Sequence, residues 1–107
     1  MRLGIDFGTT RTVVAVHDRG NYPVVAFSRV DGDLVDHFPT VTAEVGGVLV
    51  HGLDAEEAER AGAPSIRSWK RLLAMLRQDE LIRVGRVALT PVELVESFLL
   101  SLRSALR

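Results

Sequence analysis

The sequence contains no cysteine. That absence excludes disulfides, thiolate metal centres and a cysteine nucleophile, and it fits a reducing compartment, so the cytoplasm is the expected location. Neither charge is in excess: 13 Lys and Arg stand against 14 Asp and Glu, for a formal net charge of -1. Such a balance gives nucleic acid or an anionic membrane nothing to hold, and neither is expected as a partner. No apolar run approaches the ~18 residues needed to span a bilayer, and strand residues from Leu3 onward leave no room for a signal segment. Internal repeats, low-complexity tracts and linkers are missing too. The three histidines, His17, His37 and His51, are scattered, without helical metal spacing or a Ser or Cys context for a triad, and are given no role.

What remains is an ordinary globular composition, 47% hydrophobic and 25% charged, which argues against disorder and fibrous classes. A chain of 107 residues suffices for one domain that buries ~65% of its unfolded surface, and not for two.

Leu3 to Val16 organises the chain. Leu3, Ile5 and Phe7 alternate with Gly4, Asp6 and Gly8, and Val13 to Val16 forms a β-branched run that can pair back on them. The connection, Gly8-Thr9-Thr10-Arg11, suits an anion: glycine frees the backbone to aim N–H groups inward, and two hydroxyls add donors. Asp6 stands beside this cradle. A carboxylate next to a phosphate calls for a cation between them, and hydrated Mg²⁺ is the economical choice.

The string Gly4-Ile5-Asp6-Phe7-Gly8-Thr9-Thr10, followed by an apolar strand, resembles the first phosphate motif of the ATPases that include actin, sugar kinases and the Hsp70 (DnaK-type) chaperones. The paired threonines point to the Hsp70 branch. The resemblance implies an ATP or ADP site in which Asp6 orients Mg²⁺ through water while Gly8, Thr9, Thr10 and Arg11 grip phosphates. Arg11 replaces the small polar residue more usual there.

Further along, Pro23 to Ser28 is predicted as a third strand, and Val30-Asp31-Gly32-Asp33-Leu34 as a solvated turn lacking the spacing of a calcium loop. Phe38 to Val45 and Val48 to Gly52 flank Gly46-Gly47 as a second hairpin, in which Pro39-Thr40-Val41 is similar to an Hsp70 Pro-Ser-x-Val segment. Asp54 and Glu57 predict a capping box for a short helix stopped by Gly62 and Pro64. A second helix is expected over residues 65–77, with Ile66, Trp69, Leu73 and Leu76 as its buried stripe and Lys70 at the border. By physics alone, such a lysine lays its stem on apolar surface and its ammonium in water. Trp69-Lys70-Arg71-Leu72-Leu73, however, resembles the Hsp70 segment that carries a catalytic lysine, which implies that Lys70 reaches toward the γ phosphate.

Residues 81–84 and 86–89 around Gly85 predict a third hairpin or a bulged strand. Thr90, Pro91 and Glu93 then open a last helix with Val95, Phe98, Leu99, Leu102 and Leu106 on its apolar face. The Asp-Phe-Gly string also matches a protein-kinase signature, but no Gly-rich loop or His-Arg-Asp loop accompanies it.

The resemblance implies an α/β, ribonuclease H-like partial lobe. Residues 1–37 would supply the phosphate hairpin and third strand in a mixed sheet, 38–89 a reduced α+β upper subdomain, and 90–107 the C-terminal helix. It matches only the N-terminal part of an Hsp70 nucleotide-binding domain, so the chain is expected to be a fragment that alone neither hydrolyses ATP nor binds it tightly. Its parent would couple ATP hydrolysis to binding and release of unfolded polypeptides, aided by co-chaperones. Bare strand edges and the apolar face of the last helix lead to an expectation of a dimer or strand exchange between copies. A sugar kinase and a non-catalytic protein-interaction module are the competing readings.

Overall fold

The computed structural model describes residues 2–106. Alternation at the N-terminus produces the expected antiparallel hairpin of β1 (Arg2–Phe7) and β2 (Arg11–His17), with Arg2 opposite His17 and Phe7 opposite Thr12. Pro23 to Val25 runs along the other edge of β2: Ala15 bridges Val24, and the Val25 N–H donates to the Val14 carbonyl at 2.7 Å. The predicted third strand is interrupted after Val25, where the chain leaves the edge of β2. Regular pairing resumes only at β3 (Phe27–Ser28), which joins β4 (Leu34–Val35) across the Asp31-Gly32 turn. β5 (Phe38–Pro39) then returns to the edge of β2, opposite Arg11 and Thr12.

β6 (Val41–Val45) and β7 (Val48–His51) form the second hairpin; Gly46 and Gly47 have φ of 60° and 83°, the two positive values its tight turn requires. β7 runs straight into α1 (Gly52–Arg60), so the helix begins two residues before the predicted cap. The N-cap position is His51, without a side-chain cap bond, and Asp54 lies in the first turn instead. Gly52 makes this corner with φ 67°, and a Cβ there would enter the ring of Phe38. At the other end, Gly62 and Ala63 donate to the carbonyls of Glu59 and Ala58 at 3.0 and 2.9 Å, closing the helix as Gly62 and Pro64 predicted.

The helix expected over 65–77 is not formed. Ser65 to Arg67 is β8, paired with β6 so that Thr42 faces Ile66, and α2 is a single turn, Lys70–Leu73. Tertiary pairing overrides local periodicity here: β6 has a second edge to satisfy, and Ser68, with φ 50°, turns the chain between the two elements. The apolar stripe still points inward, with Trp69 buried and Ile66, Leu73 and Leu76 packed on the core. β9 (Ile82–Val84) and β10 (Val87–Leu89) form the third hairpin around Gly85. α3 (Pro91–Ala105) opens with the predicted capping box of Thr90 and Glu93.

The result is a mixed α/β fold with several small sheets and a C-terminal helix. All the described ladders are antiparallel, so the expected mixed sheet is not among them; the short connections favour hairpins, whereas a parallel pair needs a crossover of about a dozen residues or more. Phe98 of α3 is the centre of the core. Its ring lies 5.2–5.8 Å from those of Phe7, Phe38, His51 and Trp69, joining the first hairpin, the second hairpin and the lysine segment. The buried side chains of α3 are Leu94, Phe98 and Leu102, which leaves Leu99, predicted for that face, at its exposed border. Among the described residues no helix is long and apolar enough to cross a membrane.

Candidate phosphate-binding site

Strand pairing brings Phe7 opposite Thr12 and leaves Gly8 to Arg11 to close the turn. Gly8 lies outside the left-handed region; it is required because a Cβ would collide with the Arg11 carbonyl. Its N–H donates to that carbonyl at 3.0 Å. This amide therefore closes the hairpin, and the glycine acts through its missing side chain and not through the unusual backbone angles expected of it. Thr9 is half-buried and Thr10 exposed, and among the described residues neither hydroxyl has a hydrogen-bond partner within the chain. Arg11 is exposed at the start of β2, near the Asp36 carboxylate. That carboxylate is held below the usual range chiefly by its hydrogen bond to His37. Asp6 is exposed one residue before the end of β1, opposite Val13.

Lys70 comes to this turn from 63 residues away. Its Nζ donates to the Phe7 carbonyl and lies 5.2 Å from the centre of the Phe7 ring, while the side chain stays exposed. It is the only lysine in the chain, every other basic side chain being arginine. A compact ammonium with three donors, one of them engaged here, can turn to an incoming anion as a rigid guanidinium fork cannot. No ion pair joins Asp6 to Lys70 among the described residues.

The residue that fixes this arrangement is Thr40, whose only mark in the sequence is its place in the Pro39-Thr40-Val41 segment. It is fully buried between β5 and β6. Its hydroxyl donates to the Gly8 carbonyl at 3.0 Å, its N–H to the Thr10 carbonyl at 3.1 Å, and its carbonyl accepts from Ser68 at 3.1 Å. One residue thus pins both sides of the turn and the approach to Lys70.

A second polar assembly escaped the sequence reading. His51 is buried, with Nδ1 2.8 Å from the Thr42 hydroxyl and Nε2 2.7 Å from that of Ser97. Burial lowers its pKa from 6.5 to about 4, so the ring is neutral at physiological pH. Ser97 is 46 residues away on α3, and no local spacing could reveal the link.

The donor set suits a phosphate group: two unengaged threonine hydroxyls, and an ammonium with spare donors. Asp6 suits magnesium in the manner of a lone carboxylate, since that ion keeps several waters and shares phosphate oxygens. Among the described residues no group of three or more His, Asp or Glu could hold a metal without such help. Comparison with known proteins finds no family model that matches the chain and no curated relative.

Proposed function

We propose that the β1–β2 turn and Lys70 form the phosphate-facing wall of a Mg-ATP site, in a ribonuclease H-like lobe of the Hsp70 branch of the actin-like ATPases. The observation that carries the reading is the docking of the only lysine, across 63 residues, onto the carbonyl that precedes Gly8. Phosphate binding and a lysine poised at the γ position require that juxtaposition, and neither the hairpin nor the lysine string alone supplies it. On this reading Thr9 and Thr10 donate to phosphate oxygens, and Asp6 accepts from water on magnesium. Lys70 exchanges the Phe7 carbonyl for a phosphate oxygen, where its charge offsets the charge that grows on transfer. Magnesium, when bound, supplies neutralisation of the phosphates. Arg11 offers a second cation at the rim.

A single phosphate turn does not enclose a nucleotide. The chain contains no second acidic, glycine-rich turn of the kind the family uses on the opposite lobe, so hydrolysis is assigned to an assembly that includes one. The wider role follows the same resemblance: ATP-driven binding and release of unfolded polypeptides, with co-chaperones.

Reductive ¹³C-methylation reports Lys70 alone beside the terminal amine. Titration with Mg-ATP to about 10 mM is expected to shift the Lys70 methyl signal and the amide signals of Thr9 to Arg11, at millimolar affinity and without turnover. The shifts are expected to weaken at least fivefold in Asp6→Asn. Amide signals of Gly8 to Arg11 that stay fixed throughout would overturn the reading, and magnesium-dependent hydrolysis by the chain alone would overturn the assignment of turnover to a larger assembly.

A further inference from the structure

α3 has two apolar faces, and only one of them enters the core. Leu94, Phe98 and Leu102 are buried, whereas Val92, Leu99 and Leu100 are 61%, 39% and 54% exposed. Together with Val95, Pro91 and Leu73 of α2 they line an open groove of about 600 Å³. At about 100° per residue the α3 groove residues span an arc of roughly 180°, from Pro91 and Val95 at the border of the buried stripe to Leu100 on the far side. Two charges belong to the same groove, Glu96 and Arg103. They stand seven residues apart, roughly 10 Å along the axis, too far to pair within the helix. Among the described residues neither forms an ion pair.

We propose that this groove is the interface of a two-fold dimer, in which α3 packs antiparallel against α3 of a second copy. The charge pattern selects that occupant. Glu96 and Arg103 lie at nearly equal distances, roughly 5 Å, below and above the Leu99–Leu100 level. A two-fold axis at that level puts each glutamate opposite the other copy's arginine, giving two equivalent ion pairs that flank a centre of Leu99 and Leu100. An isologous contact requires a patch complementary to itself, and this one has apolar residues at its middle and opposite charges mirrored about it. A parallel pair would set Glu96 against Glu96 and Arg103 against Arg103. The face of one 15-residue helix is smaller than the ~800 Å² per partner of standard interfaces, so the dimer is weak, dissociating between roughly 10 μM and 1 mM. This contact is distinct from pairing through the bare edge of β1 and does not depend on the nucleotide reading.

Sedimentation velocity on the full chain from 10 μM to 1 mM, with circular dichroism as a check of folding, tests it. A concentration-dependent dimer is expected. Leu99→Glu is expected to abolish it, since Leu99 is partly exposed and its replacement leaves the core residues in place. Glu96→Arg and Arg103→Glu are each expected to weaken dimerisation about tenfold by setting like charges together, and the double exchange to restore it. A monomer throughout, a dimer indifferent to folded Leu99→Glu, or a double exchange no tighter than either single one would each overturn the proposal; the second outcome would move the contact to the β1 edge.

Discussion

Thr40 has the largest structural reach of any single residue near the turn. This buried threonine satisfies three backbone groups of other segments: loss of its hydroxyl leaves the Gly8 carbonyl short of a partner, and loss of its position leaves all three so. Thr40→Val keeps shape and branching and removes only the bond to the Gly8 carbonyl. The expected cost is about 1–2 kcal/mol, measured by urea unfolding, together with faster amide exchange confined to Gly8 to Arg11. An unchanged exchange pattern would mean that the turn is held by its own strands. Lys70 illustrates the same scale from the opposite side. Its side chain stays exposed as a border lysine's should, yet its ammonium is turned to the Phe7 carbonyl and ring.

At the scale of elements, the corner from β7 into α1 determines how the second hairpin meets the core. Gly52 combines a positive φ with direct apposition to the Phe38 ring, and Phe38 contacts both Phe27 and Phe98. Gly52→Ala must displace an aromatic ring of the core and strain the backbone at once, and is expected to cost about 3 kcal/mol or more of stability in thermal or urea melts. Gly20→Ala, with a similar positive φ but open space around the position, isolates the backbone part and is expected to cost about 1 kcal/mol. Equal losses in the two variants would refute the packing argument. Glu44 performs a comparable service between turns: its buried carboxylate accepts from the Arg86 N–H at 2.8 Å and lies against Gly85, tying the β9–β10 turn to β6. On the opposite side, Glu59 binds Ser65 and Arg67 at 2.7 Å, fixing α1 to β8; Arg67 chiefly holds its carboxyl below the usual range.

For the whole molecule, the burial of His51 between Thr42 and Ser97 makes stability depend on pH. The folded state keeps His51 neutral down to about pH 4, whereas the unfolded chain takes up the proton near 6.5, so the unfolded state binds more protons between these values. This contribution is complete above about 6.5 and is lost as pH falls toward 4, on the order of 3 kcal/mol in all. Urea midpoints measured across that window should fall with acidity in the natural chain. In His51→Gln, which hydrogen-bonds without titrating, the slope in this window should flatten; equal slopes would mean that His51 titrates normally. By itself, the sequence determined what depends on neighbours: the first hairpin, the Gly46-Gly47 and Gly85 turns, the Gly62 helix stop and the Thr90-Pro91-Glu93 helix start, because alternation, positive φ and capping act within a few residues. It also marked Asp6 and Gly8 to Arg11, by residue type, and Lys70, by resemblance, as candidates for one site. Only the tertiary structure decided that Ser65 to Arg67 is a strand, since the free edge of β6 outweighs a helical period, and that Leu94 rather than Leu99 enters the core. It also decided that Thr40 joins the turn to the lysine segment and that His51 meets Ser97, because hydrogen bonds and packing between residues 28 to 46 positions apart leave no periodic trace in the chain.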